Sequence, residues 1–266
     1  MRRALHAEWT KLVSVPGQWW TLLAVTGVMA GAGALVAVTQ RPPTCPPGGP
    51  GCSAPDTTAL ILSGAYLAQL AVLAVAVTVV SSEYHPRVIL LTLAAQPGRG
   101  LVLAAKAVVG TAAVLATALL GVAGALVAGR QVLLARGFTG QGGRGPAALS
   151  DPAVLRAALG TVLYLGLVAV LSLGAAWILR YQAAAAGAVA ALLYGPFLAA
   201  RLIPMPDRVM HAVQDASPMS AGLSVQSLVP GAGTAPIGPW SGLAVLAGYA
   251  VAALGTGWLL LVRRDS

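Results

Sequence analysis

Residues 81–106 read SSEYHPRVILLTLAAQPGRGLVLAAK and concentrate charge between two long apolar runs. Eleven residues separate Arg87 from Arg99, whereas a helix needs about 20 apolar residues to cross a bilayer. The dipeptide Pro97-Gly98 then interrupts the helical pattern. The stretch is too short to span a membrane, so we predict a short surface helix over residues 88–95, between two transmembrane helices, with Glu83, Tyr84, His85 and Arg87 at its entry.

The composition is that of a membrane protein. Of 266 residues, 58% are hydrophobic and 9% are charged, whereas soluble domains carry about 25% charged residues. The formal net charge of +9 indicates, in such a protein, topology and attraction to anionic lipid. We therefore predict an integral membrane protein that contacts lipid and binds no nucleic acid.

Six apolar runs are each long enough to cross a bilayer with some tilt. The fourth and fifth runs nearly meet at Arg180 and Tyr181, which form either a tight turn or the middle of one long run. The cost of a charge at mid-bilayer favours the turn. Lys106, near the start of the third run, is expected to extend to the lipid headgroups. The sequence predicts an all-α fold with six transmembrane helices in a single domain over residues 1–266. The six runs cover residues 19–39, 58–80, 101–128, 155–179, 182–200 and 240–262.

Residues 1–18 have the pattern of an amphipathic helix. Leu5, Trp9 and Leu12 follow one another at the spacing of a single helical face. The charged residues lie largely off that face, and Pro16 and Gly17 end the pattern. We predict an interfacial elbow helix before the first span. The charged residues of this segment are Arg2, Arg3, Glu8 and Lys11.

Charge on the loops sets the orientation. With six spans, both termini lie on one side, together with nine of the sixteen Lys and Arg residues; seven lie on the other side. After the acidic residues are included, the net charges are +6 and +3. The positive-inside rule then predicts that both termini are cytoplasmic, which makes residues 40–57 and 201–239 extracytoplasmic loops.

The two predicted outer loops differ in character. Residues 40–57 contain the only two cysteines, Cys45 and Cys52. Disulfides persist outside the cytoplasm, so the pattern favours a disulfide between these two cysteines, with two free thiols as the alternative. In residues 201–239, Val209, Met210 and Val213 suggest a short amphipathic helix at the outer interface. We interpret this segment as a capping loop rather than a substrate site.

The sequence predicts no catalytic, metal or cofactor site. His6, His85 and His211 are scattered, and neither lysine belongs to a phosphate-binding loop, because Lys11 precedes Leu and Lys106 precedes Ala. The cores of the spans lack the ionisable groups that ion-coupled transporters use as relays, although sodium coupling through backbone oxygens stays open. Energy for uphill movement would have to come from another polypeptide. The polar and aromatic residues inside the spans are interpreted as packing or interface residues: Tyr66, Gln69, Tyr164, Trp177, Tyr194, Tyr249 and Trp258.

Three segments resemble membrane subunits of type-2 ABC exporters, in particular those of actinobacteria. The start, AEWTKLVSVPGQWWTLLA, is similar to the family's elbow pattern E-W-x-K-L-x-S, which Glu8, Trp9 and Lys11 match. The segment DASPMSAG resembles the P-x-x-A-G stretch before the last span. Residues 81–106 resemble the segment that holds the coupling helix of the family. The matching residues there are Glu83, Tyr84, Thr92, Leu93, Pro97, Arg99 and Lys106.

The resemblance implies a six-span permease of the bacterial plasma membrane, paired with a second copy as a homodimer or with a paralogous permease. It also implies a cytoplasmic ATP-binding-cassette ATPase as partner, which would hold ATP and magnesium. Residues 83–97 would be the coupling helix, with Glu83 and Arg87 making charged contacts to the ATPase. This sequence departs from the family at His85-Pro86-Arg87 and at residues 88–91, where many relatives carry a small pair and then I-R-x-T-L.

Two functions follow from the sequence. The leading hypothesis is the permease subunit of an ATP-driven exporter, which forms the translocation path. The alternative is a non-transporting membrane protein, such as an assembly, immunity or sensory subunit. The substrate stays open, since the family moves lipids, glycans, peptides or drugs. The span interiors favour only a hydrophobic or amphipathic substrate.

Overall fold

The computed structural model describes residues 6, 7, 9, 10, 14, 16–41, 56–81, 99–138, 146–228 and 237–264. Within these residues every regular element is a helix, and six spans are long and apolar enough to cross a membrane. This confirms the all-α membrane architecture predicted from the six apolar runs. The spans are Gly17–Thr39, Thr57–Thr78, Ala104–Ala135, Pro152–Leu179, Gln182–Leu202 and Pro239–Leu260, numbered 1 to 6 in chain order.

Nine α-helices and one 3₁₀ helix make up the described part of the chain. Span 2 contains two helices, α2 and α3, while each other span is a single helix. Helices α7 and α8 and the 3₁₀ helix lie between spans 5 and 6. The helices are α1 Pro16–Thr39, α2 Thr57–Leu62, α3 Ala65–Ser81, α4 Arg99–Ala135, α5 Pro152–Leu179, α6 Gln182–Leu202, α7 Asp207–Ala216, α8 Pro218–Leu223, the 3₁₀ helix Ser224–Gln226 and α9 Pro239–Arg264.

Span 2 is broken at Ser63 and Gly64, a feature that its apolar pattern does not reveal. Gly64 lies so close to span 1 that a Cβ placed on it would overlap the carbonyl oxygen of Met29. A Cβ on Gly33 of span 1 would likewise overlap the carbonyl oxygen of Ile61. The two glycines let the backbones of spans 1 and 2 touch, as small residues do at membrane helix interfaces.

Span 3 extends further than predicted. Helix α4 continues past residue 128 to Ala135 and is followed by Gly137, whose φ of 81° only glycine adopts readily. Ile61 of span 2 packs on Gly129, with its Cγ1 only 2.7 Å from where a Cβ would be. Residues 130–135, RQVLLA, then continue the helix, and most of them favour it.

The predicted turn at Arg180 and Tyr181 is confirmed. Helix α5 ends at Leu179, and Arg180 has the left-handed φ of 54° while its N–H still donates to the carbonyl of Ala176 over 2.9 Å. Tyr181 then precedes α6, and both turn residues are exposed. The charge of Arg180 therefore lies at the bundle surface and not within a span.

Span 4 is the centre of the bundle. It contacts spans 2, 3, 5 and 6. In its apolar stretch, 72% of the residues are buried inside the protein, whereas the corresponding fraction in span 5 is 17%. Spans 1 and 3 form the other main contact. Spans 1, 5 and 6 consequently present most of their apolar surface to the outside, as expected of helices that face lipid or another membrane subunit.

The segment between spans 5 and 6 divides into two parts. Helix α7 has no buried residue, which agrees with the interpretation as a surface cap. Residues 217–226 do not agree with it, because they turn into the bundle and are buried apart from half-buried Ser220. Residues 227 and 228 contact Arg156 and Asp56, at the starts of spans 4 and 2. We call residues 217–226 the re-entrant segment, and the end of the bundle at which it enters the α7 end.

Candidate functional site

The re-entrant segment reads SPMSAGLSVQ and carries several polar side chains into the protein. Ser217 begins it with a helix cap: its Oγ accepts a hydrogen bond from the backbone N–H of Ser220 over 3.4 Å, and Pro218 occupies the first turn. Serine before proline is a typical start of a helix. Ser217, Ser224 and Gln226 are each no more than 3% exposed, so their polar atoms need partners inside the protein.

Small residues bring the backbone of this segment into contact with its neighbours. A Cβ on Gly222 would lie 2.7 Å from two ring carbons of Tyr164. A Cβ on Gly242, in span 6, would overlap the carbonyl oxygen of Ala221. The segment fits between spans 4 and 6 only because these two positions lack side chains.

Gln226 fastens the C-terminal end of the segment. Its Nε2 donates to the carbonyl oxygen of Leu62 and to Oγ1 of Thr161, each over 3.2 Å. In a continuous helix, the carbonyl of Leu62 would accept the N–H of Tyr66. Here that N–H donates to the backbone carbonyl of Ser63 over 3.0 Å. The break in span 2 therefore frees a backbone acceptor, and Gln226 satisfies it.

A second polar contact lies near the middle of the spans. Gln69 is fully buried, and its Oε1 accepts the hydroxyl proton of Tyr164. Its Nε2 lies 3.2 Å from Sδ of Met219, a weak acceptor in α8. Gln69 is the thirteenth of 22 residues in span 2, and Tyr164 is the thirteenth of 28 in span 4. The re-entrant segment thus reaches about half of the span length into the bundle.

Span 5 joins the same region through a tyrosine. The hydroxyl of Tyr194 donates to the backbone carbonyl of Tyr66, one turn before Gln69. The ring of Tyr66 lies 5.7 Å from that of Phe197, and the guanidinium of Arg201 stands 5.0 Å from the Phe197 ring. These contacts tie span 5 to α3 beside the buried side-chain amide of Gln69.

We refer to Gln69, Thr161, Tyr164, Met219 and Gln226 as the polar cluster.

Charged side chains hold the exit of the segment at the α7 end. Asp56 caps α2 through Oδ1, which accepts from Ala59 N over 3.0 Å, while its Oδ2 accepts from Leu228 N over 2.6 Å. Nη2 of Arg156 donates to the carbonyl of Ser227 over 3.1 Å. Hydrogen bonds that involve an ionised group are roughly twice as strong as neutral ones, so the exit is more firmly anchored than the polar cluster.

The charged residues of the spans lie near the span ends. The six spans contain no aspartate, glutamate or histidine, and their basic residues fall near the span ends: Lys106, Arg130, Arg156 and Arg201. Lys106 is only 5% exposed, so it is enclosed by protein and does not extend to lipid headgroups as its position suggested. The polar cluster can therefore hydrogen-bond and orient a molecule without a charged side chain.

Most of the site residues predicted from the sequence lie outside the described residues. Of the remainder, Trp9 is helical and 54% exposed, and Arg99 is the first residue of α4. The elbow helix and the coupling helix thus stay predictions, as does the disulfide. The predicted residues outside the described ranges are Glu8, Lys11, Cys45, Cys52, Glu83, Tyr84, Arg87, Thr92, Leu93 and Pro97.

The polar cluster was not predicted as a unit. Gln69 and Tyr164 are visible in the sequence as polar residues inside apolar runs, but their spacing does not show that they meet. Thr161 and Gln226 give still less signal. The available signal was the polar pattern of residues 217–226, which is unusual for a buried segment and ordinary for a loop.

No protein family model, characterised protein or solved structure matches this sequence.

Proposed function

We propose that this chain is the permease subunit of an ATP-binding-cassette exporter, in which it forms the translocation path and is powered by a separate ATPase subunit. One observation carries the proposal. A neutral polar cluster lies between spans 2 and 4, and the re-entrant segment, which enters from one end of the bundle, supplies two of its residues. A path of this kind has no ionisable relay in its spans, so the energy for opening it comes from a partner.

The mechanism follows from the position of α3. This helix carries Gln69 in its first half and ends at Ser81, directly before the predicted coupling helix at residues 83–97. A push on the coupling helix by the ATPase would move α3 along its axis. The break at Ser63 and Gly64 is the hinge that lets α3 move while α2 stays fixed to the exit through Asp56.

Movement of α3 would then release the re-entrant segment. Gln69 holds Met219 and Tyr164, and these neutral contacts are each worth about 0.5–1.5 kcal/mol. That energy is small enough for nucleotide-driven movement to overcome and large enough to keep the path closed at rest. In this mechanism the segment acts as the outer gate, and the polar cluster contacts the cargo as it passes.

The proposed exporter would contain further subunits and lie in a particular membrane. The ATPase would bind ATP and magnesium on the cytoplasmic side, and a second copy of the chain, or a paralogue, would complete the path. The protein would lie in the bacterial plasma membrane with both termini in the cytoplasm. The cargo class would be hydrophobic or amphipathic, because the spans are apolar apart from the neutral polar cluster.

Copurification tests the proposal. The full chain is purified from its native membrane in mild detergent together with its bound subunits, and ATP hydrolysis is measured after reconstitution into liposomes. We expect an ABC ATPase to copurify, and the double variant Glu83→Ala, Arg87→Ala to lose it. The matched control is Arg136→Ala, an exposed arginine at the α7 end, which should retain the ATPase. A chain that purifies without any ATPase contradicts the proposal.

A further inference from the structure

Helix α7 is strongly amphipathic and lies against the bundle without entering it. Its polar face holds Asp207 and His211, while Val209, Ala212 and Ala216 share the opposite side. Met210, Val213, Gln214 and Asp215 are its half-buried residues, and the helix packs against span 5 and α8. Three apolar residues therefore remain exposed, and Val209 has 47% of its surface uncovered.

Exposed apolar residues also lie at the ends of the spans that precede and follow α7 in the chain. Leu202 and Ile203, at the end of span 5, are 76% and 54% exposed. Trp240, at the start of span 6, is 57% exposed at the same end of the bundle. Tryptophan is typical of the boundary between headgroups and acyl chains. The apolar side of α7 thus lies at the level where the lipid-facing surface of the spans ends.

A single residue joins α7 to the re-entrant segment. Ser217 donates its N–H to the carbonyl of Val213 over 2.9 Å, and its own carbonyl accepts the N–H of Ala221 over 2.9 Å. The hydroxyl of Tyr249, in span 6, donates to the carbonyl of Ala216 over 3.2 Å. With hydrogen bonds on both sides of the joint, the depth of α8 depends on the position of α7.

We propose that α7 binds the phospholipid surface at the α7 end, and that this contact sets the depth of the re-entrant segment. The exposed apolar residues lie at the boundary between headgroups and acyl chains, in the manner of interfacial amphipathic helices. The polar face carries both signs of charge, in Asp207, Arg208 and Asp215. Apolar burial, rather than attraction to anionic lipid, therefore drives the contact. The proposal does not depend on transport.

Depth-dependent quenching tests the lipid contact. Cys45 and Cys52 are replaced by serine, bimane is attached through Val209→Cys or His211→Cys, and the full chain is reconstituted in phosphatidylcholine vesicles. We expect lipid brominated near the headgroup to quench the probe at 209. The apolar surroundings of this probe should also shift its emission to the blue. The probe at 211, on the opposite face, should be quenched by aqueous iodide instead. Equal quenching at both positions, or a contact that requires anionic lipid, overturns the proposal.

Hydrogen–deuterium exchange tests the link to the re-entrant segment. In the same vesicles, Val209→Asp withdraws α7 from the lipid, and we expect amide exchange in residues 217–226 to rise about tenfold. His211→Asp is the matched control and should leave that exchange unchanged. Exchange in residues 217–226 that is the same in the Val209→Asp protein and in the unsubstituted protein overturns the link.

Discussion

The side-chain amide of Gln226 donates to the carbonyl oxygen of Leu62 over 3.2 Å, where span 2 is broken. This bond joins a re-entrant segment to a backbone group that a continuous helix would have used itself. In the apolar interior, an unpaired carbonyl costs more than the bond contributes. The stability of the bundle and, in the proposed permease, the closure of the path would therefore depend on the same contact.

Gln226→Leu should destabilise the folded protein by about 1–3 kcal/mol, because it leaves the Leu62 carbonyl unpaired at the break. Denaturant unfolding in detergent, followed by tryptophan fluorescence, measures the change. Gln131→Leu, at an exposed position of span 3, is the control and should have little effect. Equal stability of the two variants would mean that Gln226 does not hold the segment.

Gln69 and Tyr164 should be energetically coupled. Tyr164→Phe and Gln69→Leu each remove one partner of a buried hydrogen bond, so the double variant should lose less stability than the two single variants together. Coupling energies in membrane helices average about 0.6 kcal/mol and reach about 1.7, and we expect a value in the upper part of this range. A double-mutant cycle from unfolding data measures it, and strict additivity would contradict the contact.

Gly242→Ala should be strongly destabilising, because the added methyl group would overlap the carbonyl of Ala221. Displacement of the re-entrant segment or of span 6 would cost about 1–3 kcal/mol. Gly248→Ala, in the same helix, meets no atom within 4 Å and should be neutral or stabilising, since alanine favours helices by up to about 1 kcal/mol. Thermal unfolding of both variants distinguishes a packing effect from a general effect of glycine replacement in span 6.

Asp56→Ala should cost more stability than Asp151→Ala. Both residues cap a helix, and loss of a cap costs about 1 kcal/mol. Asp56 also accepts the N–H of Leu228, a charge-assisted bond whose loss adds about 1.5–3 kcal/mol. Asp151 accepts from Ala153 within its own helix, so it controls for the cap alone. Similar losses in the two variants would show that the bond to Leu228 contributes little.

Local rules account for the parts of the fold that the sequence predicts correctly. Six apolar runs and the cost of a charge in a bilayer are sufficient to predict the spans and the turn at Arg180. The break at Gly64 cannot be predicted in this way, because its cause is the approach of Met29 from another span. The same holds for Gln226 and Leu62, whose contact depends on that break. The sequence favours a capping loop for residues 217–226, whereas their burial depends on partners far away in sequence.

In the proposed exporter, ATP hydrolysed by a partner subunit moves the re-entrant segment. Hydrogen–deuterium exchange of residues 217–226, in the reconstituted complex with its ATPase, tests this most directly. With the ATPase trapped in its ATP-bound state, we expect faster exchange in these residues than in the nucleotide-free complex. The rise should be absent in the Glu83→Ala, Arg87→Ala protein. Exchange that is the same with and without ATP, in a complex that hydrolyses ATP, would contradict the claim.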